Sequence, residues 1–247
     1  MKLSVQLYTV RDQYAADPRD TYARLSDMGL EYVEGGGSFG AVTAEEGRTM
    51  LEEYGLKASG THYGISELEA DPQKAITDAK TLGLSYIIVP WIGKDVWGDG
   101  WDVAAKRLEK IGKIVKDAGL TLCYHNHDFE FKNEGTPGLD QLYAAADPGL
   151  LKAELDIAWT QIGGGVPAEY IKKLSNRLPL VHLKDFNPNE TPIWRPCGQG
   201  LVDWDAALAA CNDAGVEFGA IELDESPGDP FDAVRESVEF LRAKGVE

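Results

Sequence analysis

The chain of 247 residues has little cysteine and no long apolar run. Its three cysteines, Cys123, Cys197 and Cys211, include no closely spaced pair, which argues against a disulfide framework and suits a reducing compartment. We expect Cys123 and Cys211 to be core thiols, whereas Cys197 lies in a predicted loop, where contact with a ligand is the less favoured alternative to a structural role. No run approaches the roughly 20 apolar residues that span a bilayer, and the amino-terminal segment lacks a signal-peptide pattern. These absences predict a cytoplasmic protein.

Positive charge is also scarce. The chain has 24 lysines and arginines against 41 aspartates and glutamates, a formal net charge of −17. The acidic residues are spread along the whole chain, so their field repels polyanions. This charge argues against nucleic acid and against an anionic membrane as partners. A small neutral molecule is the easier partner, and a homo-oligomer is left open.

A further absence concerns the fold, because no GxGxxG turn follows the first predicted strand. That turn is expected in an open, doubly wound sheet that binds dinucleotides. The chain instead has a repeated junction. A helix-like stretch ends at a glycine, and the next residue, leucine or valine, begins a strand-like run. The glycines are Gly29, Gly55, Gly83, Gly119 and Gly215. Glycine after a helix adopts the left-handed C-cap conformation without strain.

The spacing of the repeats predicts a closed barrel. Strand-like runs begin near residues 2, 30, 56, 84, 120, 151, 180 and 217, roughly 26 to 37 residues apart. Helices are predicted to start at the pairs Asp17-Pro18, Asp71-Pro72 and Asp229-Pro230, where aspartate caps and proline occupies the first turn. Eight such units predict an α/β fold with a single (β/α)8 TIM barrel over residues 1–247.

Two details of the barrel are predicted as well. The helix near 101–118 should bury an apolar stripe made of Val103, Leu108, Ile111, Ile114 and Val115. The segments 92–100 and 186–202 are predicted to be irregular loops above the barrel mouth.

All four histidines, at positions 62, 125, 127 and 182, fall at predicted strand ends. One inward side chain from each of the last four strands would bring His125, Asp156, His182 and Glu222 together. Two imidazoles and two carboxylates suit one divalent ion, Mn²⁺ first and otherwise Co²⁺, Zn²⁺ or Fe²⁺, better than Mg²⁺. The alternative is structural, with hydrogen-bonded core histidines and helix-capping aspartates.

Six segments carry a resemblance to a known family: SVQLYTVRD, YHNHDFEF, LDIAWTQ, VHLKD, GQGLVDW and IELD. They resemble the sugar phosphate isomerase/epimerase family of the xylose-isomerase-like TIM barrel superfamily, and the resemblance covers nearly the whole chain. It implies metal ligands at Asp156, His182 and Glu222, with the strand-five ligand at His125. Many epimerases of the family have glutamate at this last position, and the two glutamates move a proton between opposite faces of the sugar. A two-glutamate epimerisation therefore does not follow from this sequence.

The implied chemistry is chelation of adjacent oxygens of a keto-sugar, which acidifies the hydrogen beside the carbonyl. The residues expected to act on that proton or on the resulting enediolate are Glu222, His127 and Lys184, with Glu34 and His62 as reserve bases. Glu154 lies deeper on the same face of its strand as Asp156. It is expected to pack against Lys184 or Lys152, and Lys184 could equally pair with Asp185.

A carbohydrate is the expected substrate because aromatic rings near strand ends pack on sugar faces. The expected contacts are Gln6, Tyr8, Glu34, His62, Trp91, Trp159, Trp194 and Arg195. Arg195 is the one expected anion anchor, and since no phosphate-binding motif accompanies it, the substrate is expected to be non-phosphorylated.

The favoured function is a metal-dependent keto-sugar isomerase or epimerase. The alternative is a lyase or hydratase, in which the same proton abstraction is followed by β-elimination from a 3-keto sugar or 3-keto glycoside. A sugar-binding barrel without activity is a third hypothesis. A DNA-repair nuclease of the same superfamily is disfavoured, because the chain is acidic and lacks the ligands of a trinuclear site.

Overall fold

The computed structural model describes residues 1–132, 135–226 and 228–247, and within them it contains ten β-strands. These are β1 Lys2–Gln6, β2 Tyr32–Gly36, β3 Lys57–His62, β4 Tyr86–Val89, β5 Thr121–His125, β6 Lys152–Asp156, β7 Leu180–Leu183, β8 Asp185–Phe186, β9 Trp194–Arg195 and β10 Phe218–Ile221. Eight of them close into a parallel barrel in the order β1-β10-β7-β6-β5-β4-β3-β2, while β8 and β9 form a short antiparallel pair. The predicted (β/α)8 barrel is confirmed.

Helices surround the barrel, and the three helix starts predicted at Asp-Pro pairs are confirmed. The α-helices are α1 Arg11–Ala16, α2 Pro18–Asp27, α3 Ala44–Glu53, α4 Ile65–Ala70, α5 Pro72–Thr81, α6 Lys94–Trp97, α7 Trp101–Asp117, α8 Gly138–Ala145, α9 Ile157–Ile162, α10 Pro167–Lys173, α11 Trp204–Ala214 and α12 Pro230–Ala243. Asp17, Asp71 and Asp229 each accept backbone N–H bonds from the first turn of their helices. The five junction glycines all have positive φ, from 70° to 83°. No helix in the described ranges is both long and apolar enough to cross a membrane.

Three details of the prediction were wrong. On α7, Ile114 is 40% exposed and Val103 is only half-buried, because the inner face uses small residues such as Ala104 and Gly112. A Cβ on Gly112 would lie 2.1 Å from the carbonyl oxygen of Leu150, so the helix approaches too closely for a larger side chain. The segments predicted to be irregular contain α6 and the β8–β9 pair.

Asp185 anchors the loop that follows β9. Its carboxylate accepts bonds from the backbone N–H groups of Gly198, Gly200 and Val202 and from the indole of Trp204. Cys197 is buried inside this loop, where its thiol donates to the Leu183 carbonyl. Cys197 therefore has the structural role, and the less favoured alternative of contact with a ligand is not supported. The other two cysteines, Cys123 and Cys211, are buried as predicted.

The barrel interior changes from apolar to polar along the strands. Ile88, Cys123, Leu180 and Phe218, one from each of four strands, form a buried apolar cluster. On the first strands the hydroxyls of Ser4 and Ser59 lie 2.8 Å apart. Because side chains two positions on face the same way, His125 and His182 follow Cys123 and Leu180 in the interior, and Gln6 follows Ser4. The polar layer thus lies toward the carboxyl ends, where barrel chemistry is expected.

Candidate metal centre

The four predicted ligands come together at the carboxyl ends of neighbouring strands. His125 and Asp156 end β5 and β6, His182 lies on β7, and Glu222 directly follows β10. The register of β6 and β7 pairs Asp156 with His182. The register of β7 and β10 pairs His182 with Ala220, two residues before Glu222. One ligand atom from each of the four lies within 4.8 Å of the others, and all four residues are buried. We call these four residues the rim site.

Asp156 shows that the rim site fits a cation. Its Oδ1 accepts the backbone N–H of Trp159 and so caps α9, whereas its buried Oδ2 has no hydrogen-bond partner among the described residues. The unpaired oxygen lies 4.0 Å from Nε2 of His125. Burial raises the pKa of Asp156 to about 7, with a smaller contribution from Glu222 in the same direction, although Lys184 and His182 act in the opposite direction. A cation between these atoms would compensate the desolvated oxygen, so the donor set suits a transition-metal ion.

His182 is held between two carboxylates. Its Nδ1 lies 2.9 Å from Oε2 of Glu222, and its Nε2 lies 2.8 Å from Oε1 of Glu34. Both nitrogens donate to these carboxylates, and although burial acts in the opposite direction, Glu154, Glu222 and Glu34 raise the pKa of His182 well above its ordinary value. A metal ion at the rim site would take the place of the Nδ1 proton, while Glu34 keeps the proton on Nε2. A carboxylate behind a metal-binding imidazole commonly sets the tautomer in this way.

His125 and His127 are both neutral at pH 7. Burial lowers the pKa of His125 to about 4, with a further contribution from His182. Burial also lowers the pKa of His127 to about 2, helped by the neighbouring His125. A neutral imidazole is the form that binds metal ions and accepts protons, so both rings are in the state that the predicted chemistry needs.

Lys184 is the buried cation of the site. Its Nζ lies 2.6 Å from Oδ1 of Asp224, 3.0 Å from Oε2 of Glu222 and 3.8 Å from Oδ2 of Asp156. Although burial acts in the opposite direction, Glu222 and the other two carboxylates raise the pKa of Lys184 above its ordinary value. The lysine therefore stays protonated. Its ammonium also lies 4.3 Å from the ring centre of Trp194.

The expected partners of Lys184 were wrong. Asp185 is engaged by the loop after β9, and Glu154 contacts histidines instead of Lys184 or Lys152. The side chain of Lys184 extends toward the rim, whereas Glu154 lies one interior layer deeper. The alternation along a strand predicts the face on which each residue lies. It does not predict how far along the barrel axis a long side chain extends.

Replacing Lys184 by methionine is expected to destabilise the metal-free protein by about 3–5 kcal/mol, because buried carboxylates lose their counter-ion. Urea denaturation in the presence of a chelator measures this cost. Added Mn²⁺ should restore part of the stability by supplying positive charge to Asp156 and Glu222. An unchanged midpoint without metal would contradict the charge balance described above.

A cavity of about 740 Å³ opens above the rim site. Of the predicted residues, Gln6, Tyr8, His62, Trp91, His125, His127 and Glu222 line it. Tyr8 and Trp91 are 52% and 56% exposed, so their rings are available at its mouth. Asp224 also lines the cavity and was not predicted. Its position two residues after Glu222, on the same side of the chain, was the available signal.

Four predicted contact residues lie outside the lining of this cavity. Trp159 and Trp194 pack edge to face with ring centres 4.7 Å apart, and Glu34 is buried beneath the rim. Arg195 forms an ion pair with Glu190 and donates to the carbonyl of Trp194, and it lines a separate cavity. The structure therefore does not place the expected anion anchor beside the rim site.

Comparisons with known proteins agree with this architecture. The family model of the xylose isomerase-like TIM barrel matches residues 22–244. A sugar phosphate isomerase/epimerase from Parabacteroides distasonis superposes with a TM-score of 0.87 at 23% identity, covering 98% of this chain and 93% of that one. The probable 3-DHS dehydratase AsbF from Bacillus anthracis superposes with a TM-score of 0.78 at 16% identity, covering 98% and 99%. At these identities the superpositions show the fold alone.

The chain is also similar in sequence to a dehydratase. The inosose dehydratase of Clostridium beijerinckii is 31% identical over 164 residues, which cover 58% of this chain and 54% of that protein. The chain thus spans about half the length of this relative. The family model, in contrast, matches most of the chain and agrees with the closed barrel and its polar rim. The chain belongs to the xylose isomerase-like TIM barrel family.

Proposed function

We propose that the protein is a divalent-metal-dependent enzyme that removes a proton beside the carbonyl of a small keto-sugar or keto-polyol. The observation that supports this most is the rim site, with four ligand atoms within 4.8 Å of one another beneath an open cavity. A divalent ion bound there would act as a Lewis acid toward the substrate's oxygens. The remaining steps depend on the chain's own residues.

Glu222 is the proposed base. It lines the cavity, and although burial acts in the opposite direction, Lys184 and His182 hold the pKa of its carboxyl well below its usual range. The carboxylate is therefore ionised and able to accept a proton. The Lys184 ammonium, 3.0 Å away, supplies fixed positive charge near the oxygen on which negative charge develops.

His127 is the proposed second proton-transfer group. Its ring lines the cavity, and its buried Nδ1 has no hydrogen-bond partner among the described residues. The neutral imidazole can accept a proton directly. Returning a proton at a second carbon, as isomerisation requires, would need such a group besides Glu222.

The cavity wall suits an uncharged carbohydrate. The exposed rings of Tyr8 and Trp91 can pack on the C–H face of a sugar, while Gln6 and His62 can bond its hydroxyls. The net charge of −17 disfavours an anionic substrate. We therefore propose a non-phosphorylated keto-sugar.

A second candidate, β-elimination, is favoured by two observations. His125 occupies the place of the second glutamate of many family epimerases, so Glu222 is the one carboxylate of the rim site that lines the cavity. The sequence relative named above is a dehydratase, an enzyme that removes water. Elimination needs one base beside the carbonyl and a leaving group one carbon further, and this arrangement suffices for it.

The experiment is an NMR assay in D₂O with the protein reconstituted with Mn²⁺. The probes are an inosose, a ketohexose and an aryl 3-keto-glucoside. Proton abstraction predicts deuterium at the carbon beside the carbonyl. Deuterium in recovered sugar or a new isomer indicates isomerase or epimerase activity, whereas release of water or the aryl alcohol indicates a lyase. Neither exchange nor product with these three probes, in protein shown to contain the metal, would contradict the proposal.

A further inference from the structure

A second group of ligand-type side chains lies beneath the rim site. Glu34, His62, Glu154 and His182 each offer an atom within 4.8 Å of the others, and we call these four residues the inner cluster. They come from β2, β3, β6 and β7, so the inner cluster joins opposite walls of the barrel. The rim site, in contrast, uses neighbouring strands of one wall. The two groups share His182.

Glu154 is the carboxylate of the inner cluster that has room for a further bond. The residue is 1% exposed, and neither carboxylate oxygen accepts a hydrogen bond from the described residues. Its Oε2 lies 3.3 Å from Nδ1 of His125, 3.3 Å from Nε2 of His182 and 3.5 Å from Nε2 of His62. None of these contacts has the alignment of a hydrogen bond. The three imidazoles lie at ion-pair distance and offset part of the cost of burying this carboxylate. A divalent cation among these atoms would supply the direct bonds that its two oxygens lack.

Glu34 supplies the second carboxylate and is held in position. Gln6 donates from Nε2 to Oε1 of Glu34 at 2.8 Å, and Nε2 of His62 lies 3.0 Å from the same oxygen. A Cβ on Gly60 would lie 3.1 Å from Oε2 of Glu34, so the bare backbone there leaves space for the carboxylate. Glu34 and Glu154 together carry the charge that a divalent cation neutralises.

An ion can reach the inner cluster from the open cavity. The side chain of His62 is 18% exposed, and the residue lines the 740 Å³ cavity together with Gln6. The other three members are buried behind it. His62 is therefore both a ligand and the point of entry, and no backbone movement is needed for access.

We propose that the inner cluster binds a second divalent cation, through Glu34, His62, Glu154 and Nε2 of His182. Two carboxylates with two imidazoles suit Zn²⁺, Co²⁺ or Mn²⁺. This site goes beyond the proposed function, whose ion is held at the rim. Because His182 presents Nδ1 to the rim site, filling both sites makes its ring a bridge. The N–H bond at Nε2 then breaks, a nitrogen–metal bond forms, and the proton leaves to solvent.

The test is a titration of metal-free protein with Co²⁺, followed by desalting and metal analysis. The wild type is expected to retain two ions per chain, and Glu154→Gln and His62→Gln one each. Asp156→Asn should also retain one ion, because it removes a rim ligand only. Glu69→Gln is the matched control, since Glu69 pairs with Arg107 at the surface, and it should retain two.

Retention of one ion by the wild type that Asp156→Asn loses would overturn the proposal, and so would retention of the full wild-type number of ions by folded Glu154→Gln or His62→Gln. His62→Gln decides the result if Glu154→Gln fails to fold, because His62 is partly exposed and its loss leaves no cavity in the core. Circular dichroism of each variant establishes folding. Failure of the rim site is a different result, in which Asp156→Asn retains as many ions as the wild type.

Discussion

Asp156→Asn is expected to lower turnover of the keto substrate by more than about 100-fold. Losing a residue that only hydrogen-bonds to a metal ligand already lowers metal affinity or activity by about 10–100-fold, and Asp156 is a ligand itself. The change removes one of two carboxylates of the rim site while keeping the shape of the side chain. Turnover is measured by steady-state assay at saturating Mn²⁺ with the probe that shows activity in D₂O.

The same variant should leave the metal-free fold intact. Asparagine caps α9 as well as aspartate does, so the free energy of unfolding should stay within about 1 kcal/mol of the wild type. Thermal or urea denaturation with a chelator provides this comparison. A large loss of stability without metal, or full turnover with it, would show that Asp156 has a structural role.

Glu222→Gln is expected to reduce kcat by about 10²–10⁴-fold, the usual contribution of a positioned acid or base. The amide cannot accept the proton, and it also removes the anionic partner of Lys184 and His182. The measurement is the rate at which deuterium enters the substrate beside the carbonyl. Metal content is determined in parallel, because Glu222 is also a rim ligand.

Asp224→Asn is the matched control for Glu222→Gln. Asp224 lines the same cavity and pairs with the same lysine, but it does not belong to the rim site. Its replacement should reduce exchange less than Glu222→Gln does. If Glu222→Gln binds metal and still exchanges deuterium at the wild-type rate, the base is another group, and His127 is the first alternative.

The barrel could be predicted because its signals are local. Gly29 and Gly215 mark helix ends through a backbone conformation that other residues rarely adopt. Asp71 caps α5 by accepting bonds from backbone N–H groups two and three residues further along the chain. The rim site could also be predicted, because the ends of parallel strands meet at one face. Asp156 and His182, for example, are direct register partners.

The contacts beneath the rim could not be predicted in the same way. Glu154 meets His62, which comes from the opposite wall of the barrel and lies far away in sequence. Arg195 is engaged by Glu190, through a loop geometry that no periodic pattern describes. The alternation of side chains along a strand predicts which face of the sheet a residue occupies. Which residue it contacts on the opposite wall of the barrel depends on strand tilt and side-chain length.

The most direct test of the account is the position of a bound ion. Crystals grown with Mn²⁺ and measured at the manganese absorption edge should show an anomalous peak coordinated by His125, Asp156, His182 and Glu222. A peak at the inner cluster as well would be compatible with this result. No peak among the four rim residues, in crystals where their side chains are ordered, would contradict the proposed metal-dependent chemistry.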